Sequence, residues 1–147
     1  MRILGGTLLL AVSLLCWSWR SAEAASYYVN DASTTVDIYT SAPGNDANTG
    51  TSSNSPKLTL GNLIGTQALQ PGDMVYIDTG TYAPAVISNS VNGTAGNLIR
   101  FQGSTNQAAG GTVFTGSGVV LAVLGQFVAL ADVKLLGGSE GLRMQGA

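Results

Sequence analysis

Apolar and polar residues alternate along much of this chain in runs of four to six, which is the period of half-buried strands. In residues 74–78, Val75 and Ile77 share one face and Tyr76 takes the other. Residues 97–103 repeat the arrangement, with Ile99 and Phe101 inward and Arg100 and Gln102 outward. Residues 127–138 read as two joined strands. Val128 and Leu130 share one parity and Val133 and Leu135 the other, so the phase flips at Ala131-Asp132. Such a flip keeps one side buried when a chain turns a corner between two sheets. Residues 26–30 and 141–146 supply a first and a last short strand. The one helical pattern spans residues 57–69, where Leu60, Leu63 and Ile64 form a stripe at intervals of three and four, with Thr59 as its cap and Pro71-Gly72-Asp73 as the turn beyond it.

The strand starts Val75, Ile99 and Val128 lie 24 and 29 residues apart, which is the length of one solenoid turn. Asn92-Gly93 is a hairpin-type dipeptide and keeps a β-sandwich as the rival fold. Short strands, a corner inside one of them, and inward aliphatics opposite small outward residues favour a stacked parallel β-helix, an all-β solenoid.

Composition changes this picture in two ways. Of 147 residues only 14 are charged, 20 are glycine and none is histidine, with a net charge of −2. A nucleic-acid surface is excluded for want of basic residues, and so is any mechanism built on imidazole. Second, Arg2, the uncharged run 3–19 and Ala22-Glu23-Ala24 have the order of a signal peptide cleaved after Ala24. Export is therefore expected, to the extracellular space, periplasm or cell surface, with no stable membrane insertion afterwards. The remaining 123 residues hold neither Cys nor Trp, so the exported protein has no disulfide.

Candidate chemistry is sparse. Within the turn-rich loop 42–51, Asp46, Asn48 and Gly50 open like a calcium loop. An EF-hand would need Gly and Glu where Thr51 and Lys57 stand, which leaves Asp46 and Asn48 as candidates for a looser cation site, beside their reading as turn formers. Arg100, Asp132, Lys134 and Arg143 are the candidate substrate-binding residues, with Glu140 the other outward ionisable group. No residue is assigned a catalytic role.

The series Gly44-Asn45-Asp46-x-Asn48-x-Gly50-Thr51, Pro56-x-x-Thr59-Leu60 and Leu69-x-Pro71-Gly72-Asp73-x-Val75-Tyr76-Ile77-x-x-Gly80-Thr81-Tyr82 resembles the N-terminal cap and first coil of secreted right-handed parallel β-helix proteins of the pectate-lyase-like kind. The resemblance implies a cap over residues 25–73, whose helix covers the open end of the solenoid, and coils over 74–147. It implies an acidic polysaccharide as partner and calcium as a possible cofactor, with catalytic groups on later coils. The parent is then a polysaccharide-active enzyme, a lyase ahead of a hydrolase, or alternatively a non-enzymatic adhesin or carbohydrate-binding solenoid. Residue 147 falls inside a repeating unit, so the expected protein is either a truncated gene product or the front piece of a longer one. The exported segment alone is expected to self-associate through its open coil. Size-exclusion chromatography of residues 25–147 checks this: a monodisperse monomer would contradict it.

Overall fold

The computed structural model describes residues 23–145. The expected leader, with Cys16 and both tryptophans, lies outside these residues except for Glu23 and Ala24. The strands are β1 (Ser26–Val29), β2 (Met74–Ile77), β3 (Gly80–Tyr82), β4 (Ala85–Ile87), β5 (Ile99–Gly103), β6 (Thr112–Gly116), β7 (Val119–Val123), β8 (Val128–Ala131), β9 (Val133–Gly137) and β10 (Glu140–Met144), with one α-helix, α1 (Leu60–Thr66). They form three wholly parallel sheets, β1-β2-β5-β8, β3-β6-β9 and β4-β7-β10. The chain visits them in rotation three times, through β2-β3-β4, β5-β6-β7 and β8-β9-β10. The protein is thus mostly β and solenoid-like.

Inward side chains stack in register between the coils. Tyr27, Val75, Phe101 and Leu130 form one ladder, Tyr82, Phe114 and Leu135 a second, and Ala85, Leu121 and Leu142 a third. Phe101, Phe114, Ile77, Ile87 and Leu121 are essentially inaccessible, and Tyr82 and Phe114 lie 5.5 Å apart between ring centroids. At one end α1 covers the stack with Leu60 and Leu63. At the other, Leu142 and Met144 continue inward-facing rows yet are 41% and 70% exposed, beside an apolar hollow of about 220 Å³.

The helix is shorter than its sequence pattern because the chain before it is otherwise engaged. Lys57 bridges Val29 in parallel, extending the first sheet past β1, and its buried ammonium donates to the Asp46 carbonyl at 2.9 Å. Thr59 is the N-cap, accepting from the Asn62 amide at 3.2 Å. At Gln67, the C-cap, the backbone is already extended.

Corners are where the sequence is most constrained. Asp132, at φ 54°, makes the one-residue corner between β8 and β9 and produces the expected phase flip. Gly103 lies under it: a Cβ there would fall 2.2 Å from the Asp132 carbonyl, so only glycine lets the coils close. Two coils before the Asp132 corner, the β2–β3 corner is made by Asp78 and Thr79. There Thr112 Oγ1 donates to the Ile77 and Asp78 carbonyls (2.7 and 2.9 Å) and accepts from the Ser104 amide, while Thr79 and Ser104 hydroxyls meet at 2.6 Å.

Spacing between stacked coils is uneven. From Met74 to its neighbour Arg100 is 26 residues, but from Gly80 to Thr112 is 32 and from Ala85 to Leu121 is 36. From coil two to coil three the spans are 29, 21 and 21 (Arg100 to Ala129, Thr112 to Val133, Val119 to Glu140). The differences are taken up in loops: the ladders keep register. Asn92-Gly93 precedes a tight turn closed by an antiparallel Thr94–Asn97 bridge within one such loop, and joins no sheet hairpin.

Two substitutions test this account. Asp78→Asn removes the buried charge and one of the two oxygens that accept from the residue 38–40 and Thr79 amides, and is expected to cost about 2–4 kcal/mol in urea unfolding. Gly65→Ala, where an added Cβ meets nothing within 4 Å, is expected to gain about 0.5–1 kcal/mol in the same measurement.

Candidate functional site

Two outer surfaces of the stack carry chemistry. On the β1-β2-β5-β8 sheet, Tyr28, Tyr76 and Gln102 form one outward row and Ser26, Met74, Arg100 and Ala129 the next. Tyr28 and Tyr76 stack at 5.5 Å between centroids with 24° between planes, and Tyr39 leans on Tyr76 at 4.9 Å. The Tyr39 hydroxyl donates to the Gly103 carbonyl at 3.1 Å. Arg100 is exposed beside this row, and Gln102 Nε2 donates to Asp132 Oδ2 at 2.7 Å.

The second surface is a trough along β3. A hollow of about 430 Å³ lined by Leu58, Thr59, Gly61 and Pro84 and another of about 230 Å³ lined by Ser33, Thr35, Thr79 and Gly111 meet at Asp31 and Thr81, which line both. Lys134 reaches its far end, where its ammonium donates to the Gly110 carbonyl.

Between these surfaces runs the loop 31–42, held by an unusual concentration of acids. Asp78 is fully buried. Its Oδ1 accepts from the Ile38 and Thr79 amides (2.9 and 2.8 Å), and its Oδ2 from the Tyr39 and Thr40 amides and the Thr40 hydroxyl (2.8, 2.7 and 2.9 Å). Asn106 Nδ2 donates to the carbonyl of Val36, which sits at φ 63°. Asp37 lies beside Asn30, whose Nδ2 donates to Asp37 Oδ2 at 2.7 Å. Burial raises the Asp37 carboxyl above its ordinary value, as do the Asp78 and Asp31 charges, against the lowering effect of hydrogen bonds from Asn30 and Thr40. The Tyr82 phenol is pushed far up by burial and then by Asp31, Asp78 and Asp37; its hydroxyl donates to the Asp78 carbonyl at 3.0 Å.

The residues singled out in the sequence are dispersed. Asp46 Oδ1 accepts from the Leu58 and Thr59 amides and Oδ2 from the Thr59 hydroxyl, while Asn48 Nδ2 donates to the Pro56 carbonyl. Both hold the helix entry, and both carboxylate oxygens of Asp46 are engaged by the protein. Arg100 and Asp132 share the tyrosine-bearing side of the stack, with Gln102 between them. Lys134 is on the next sheet, and Arg143 is on the third, paired with Glu140 at 2.7 Å. Sequence reasoning misses Asn30, Asp31, Asp37, Asp78 and the tyrosines. The available signal is the concentration of Asn30, Asp31 and Asp37 within one polar stretch that no strand or helix pattern claims.

Comparison of the chain with protein-family models, curated proteins and solved structures gives no match.

The Asp37 shift makes a signed prediction. The folded state holds this proton more tightly than the unfolded chain, so ionised Asp37 is a cost at neutral pH. That cost is relieved as pH falls through the raised folded value, and is gone below the ordinary carboxylate value of about 3.9. Asp37→Asn is therefore expected to be the more stable protein at neutral pH in chelator-treated buffer. Urea midpoints at a series of pH values should show its advantage shrinking on acidification.

Proposed function

We propose that this chain is the cap and coils of an exported right-handed parallel β-helix protein that acts on polysaccharide, and that the tyrosine-bearing sheet face holds the glycan. The observation that carries the reading is the Tyr28–Tyr76 stack with exposed Arg100 on the adjacent row. Aromatic rings offer flat apolar area to the C–H faces of sugars, and a guanidinium pairs with a uronate carboxylate in two parallel hydrogen bonds. The 4.7–4.9 Å spacing of parallel strands sets Tyr28, Tyr76 and Gln102 in one line along the stack, with Arg100 beside it, and such a line suits an extended polymer. Export is supported by the order of charge, apolar run and small residues in 1–24.

Binding in place of cleavage is the role this face supports. Proton abstraction beside a uronate carboxylate needs a base of lowered pKa and a cation or donor set aimed at the developing charge. Of the outward ionisable groups, Arg143 is held in the protonated state by Glu140, and Asp132 accepts from Gln102.

Affinity electrophoresis of the full chain against pectate, alginate and a glycosaminoglycan tests the proposal. Retardation by at least one acidic polymer is expected, weakened roughly tenfold in Arg100→Ala, as loss of a bond worth about 1.4 kcal/mol implies. Thr81→Trp, which fills the β3 trough, should leave retardation unchanged. Absence of retardation by all three polymers, or loss with Thr81→Trp and not with Arg100→Ala, would overturn the assignment. The same preparation is expected to release no unsaturated uronate from any of the three.

A further inference from the structure

The segment 30–42 has more buried oxygen than hydrogen to serve it. Asn30 is fully buried, and its Nδ2 lies within hydrogen-bond distance of three oxygens: the Ser33 carbonyl at 2.8 Å, Asp37 Oδ2 at 2.7 Å and the Ala42 carbonyl at 2.9 Å. Two amide hydrogens cannot fully satisfy three acceptors. The Thr40 hydroxyl stands 3.3 Å from Asp37 Oδ2 and 2.9 Å from Asp78 Oδ2, so its single hydrogen is shared as well. In the same pair of side chains, Asn30 Oδ1 and Asp37 Oδ1 are both buried without any donor. Buried acceptors left in this way cost on the order of 1–3 kcal/mol each, more when charged.

We infer that Asn30 and Asp37 form the protein side of a binding site for a hard divalent cation of the calcium class. A buried water would supply two hydrogens but no charge. Here the unserved oxygen belongs to a carboxylate that lies within electrostatic reach of Asp31 and Asp78. Among the described residues, the one ion pair is Glu140–Arg143, so none of the three acids has a basic partner. The unserved oxygens are a carboxylate and a carboxamide. Calcium takes this set, completing its six to eight ligands with water, whereas zinc prefers nitrogen and sulfur. Among the described residues no three Asp, Glu, His or Cys converge as a full cage. With one carboxylate in direct reach and two acting at longer range, the site belongs with weak extracellular ones, with Kd on the order of 0.1–1 mM. The site is distinct from Asp46 and Asn48, whose polar atoms serve the helix entry. Its effect is to tie the loop carrying Tyr39 to the end of β1.

The test uses the full chain stripped with chelator. Calcium is titrated while the melting temperature and tyrosine-sensitised terbium luminescence are followed; Tyr39 and Tyr82 flank the site and supply the antenna. A saturable rise in melting temperature is expected with calcium, together with terbium emission that calcium displaces. Affinity should fall at least about tenfold in Asp37→Asn and persist in Asp46→Asn. Asn30→Asp, which adds a charged oxygen donor, should bind calcium more tightly than the parent and melt lower without it. Absence of a saturable response in the parent, unchanged affinity in Asp37→Asn, or calcium binding abolished by Asp46→Asn would each overturn the inference. If Asp37→Asn fails to fold, a calcium affinity in Asn30→Asp no tighter than the parent's overturns it equally.

Discussion

Every coil of this protein must turn from one parallel sheet to the next without leaving buried backbone groups unpaired, and the β2–β3 corner shows how that constraint is met. The Asp78 carboxylate gathers amides of residues 38–40 from outside while its own carbonyl receives Thr112 and Tyr82 hydroxyls from within. One residue therefore joins three layers: the covering loop, the corner of the first coil and the corner of the second. The aromatic row depends on it, because Tyr39 is positioned by the amide that Asp78 holds. The acid-rich segment depends on it too, since Thr40 is shared between Asp78 and Asp37.

Legibility in the sequence followed local periodicity. The strands at 74–77 and 99–103 alternate in burial, and at 128–131 and 133–137 Val128, Leu130, Val133 and Leu135 keep a parity that changes across Asp132, which makes the corner visible. Thr59 was legible as a cap because Thr three residues before Asn62 satisfies a helix-start rule that needs no tertiary partner. By contrast β3 and β4 have three residues each, too few for a period to show, and β7 reads Val-Val-Leu-Ala-Val with burial on nearly every position. A run buried on both faces has no alternation to detect.

The chemistry was harder to read for a different reason. Asp46 and Asn48 match a loop motif of cation ligands in their spacing, yet the helix entry takes both carboxylate oxygens of Asp46, and Asn48 spends its amide N–H on the Pro56 carbonyl. Asn30 and Asp37 match no motif. Their unserved oxygens arise from long-range packing that brings residues 38–40 to Asp78, about forty positions along the chain, and no local pattern reports such an encounter. Charge contributes as well: with few lysines and arginines, the protein spends backbone amides and hydroxyls on its buried acids instead of ion pairs, and these partners leave no compositional trace.

The uneven coil spans carry a consequence for how this architecture can vary. Ladder register is held by the strands and corners, whereas length differences of up to ten residues between neighbouring sheets are absorbed in loops such as 88–98 and 104–111. The scaffold thus separates the residues that hold the stacking register from the connections that set the length of each coil. Val91 and Ser104 anchor those loops in the core and at the β2–β3 corner, so a peptide grafted into the exposed stretches 94–96 or 107–109 would alter the outer surface of a single coil while leaving the rungs above and below it aligned.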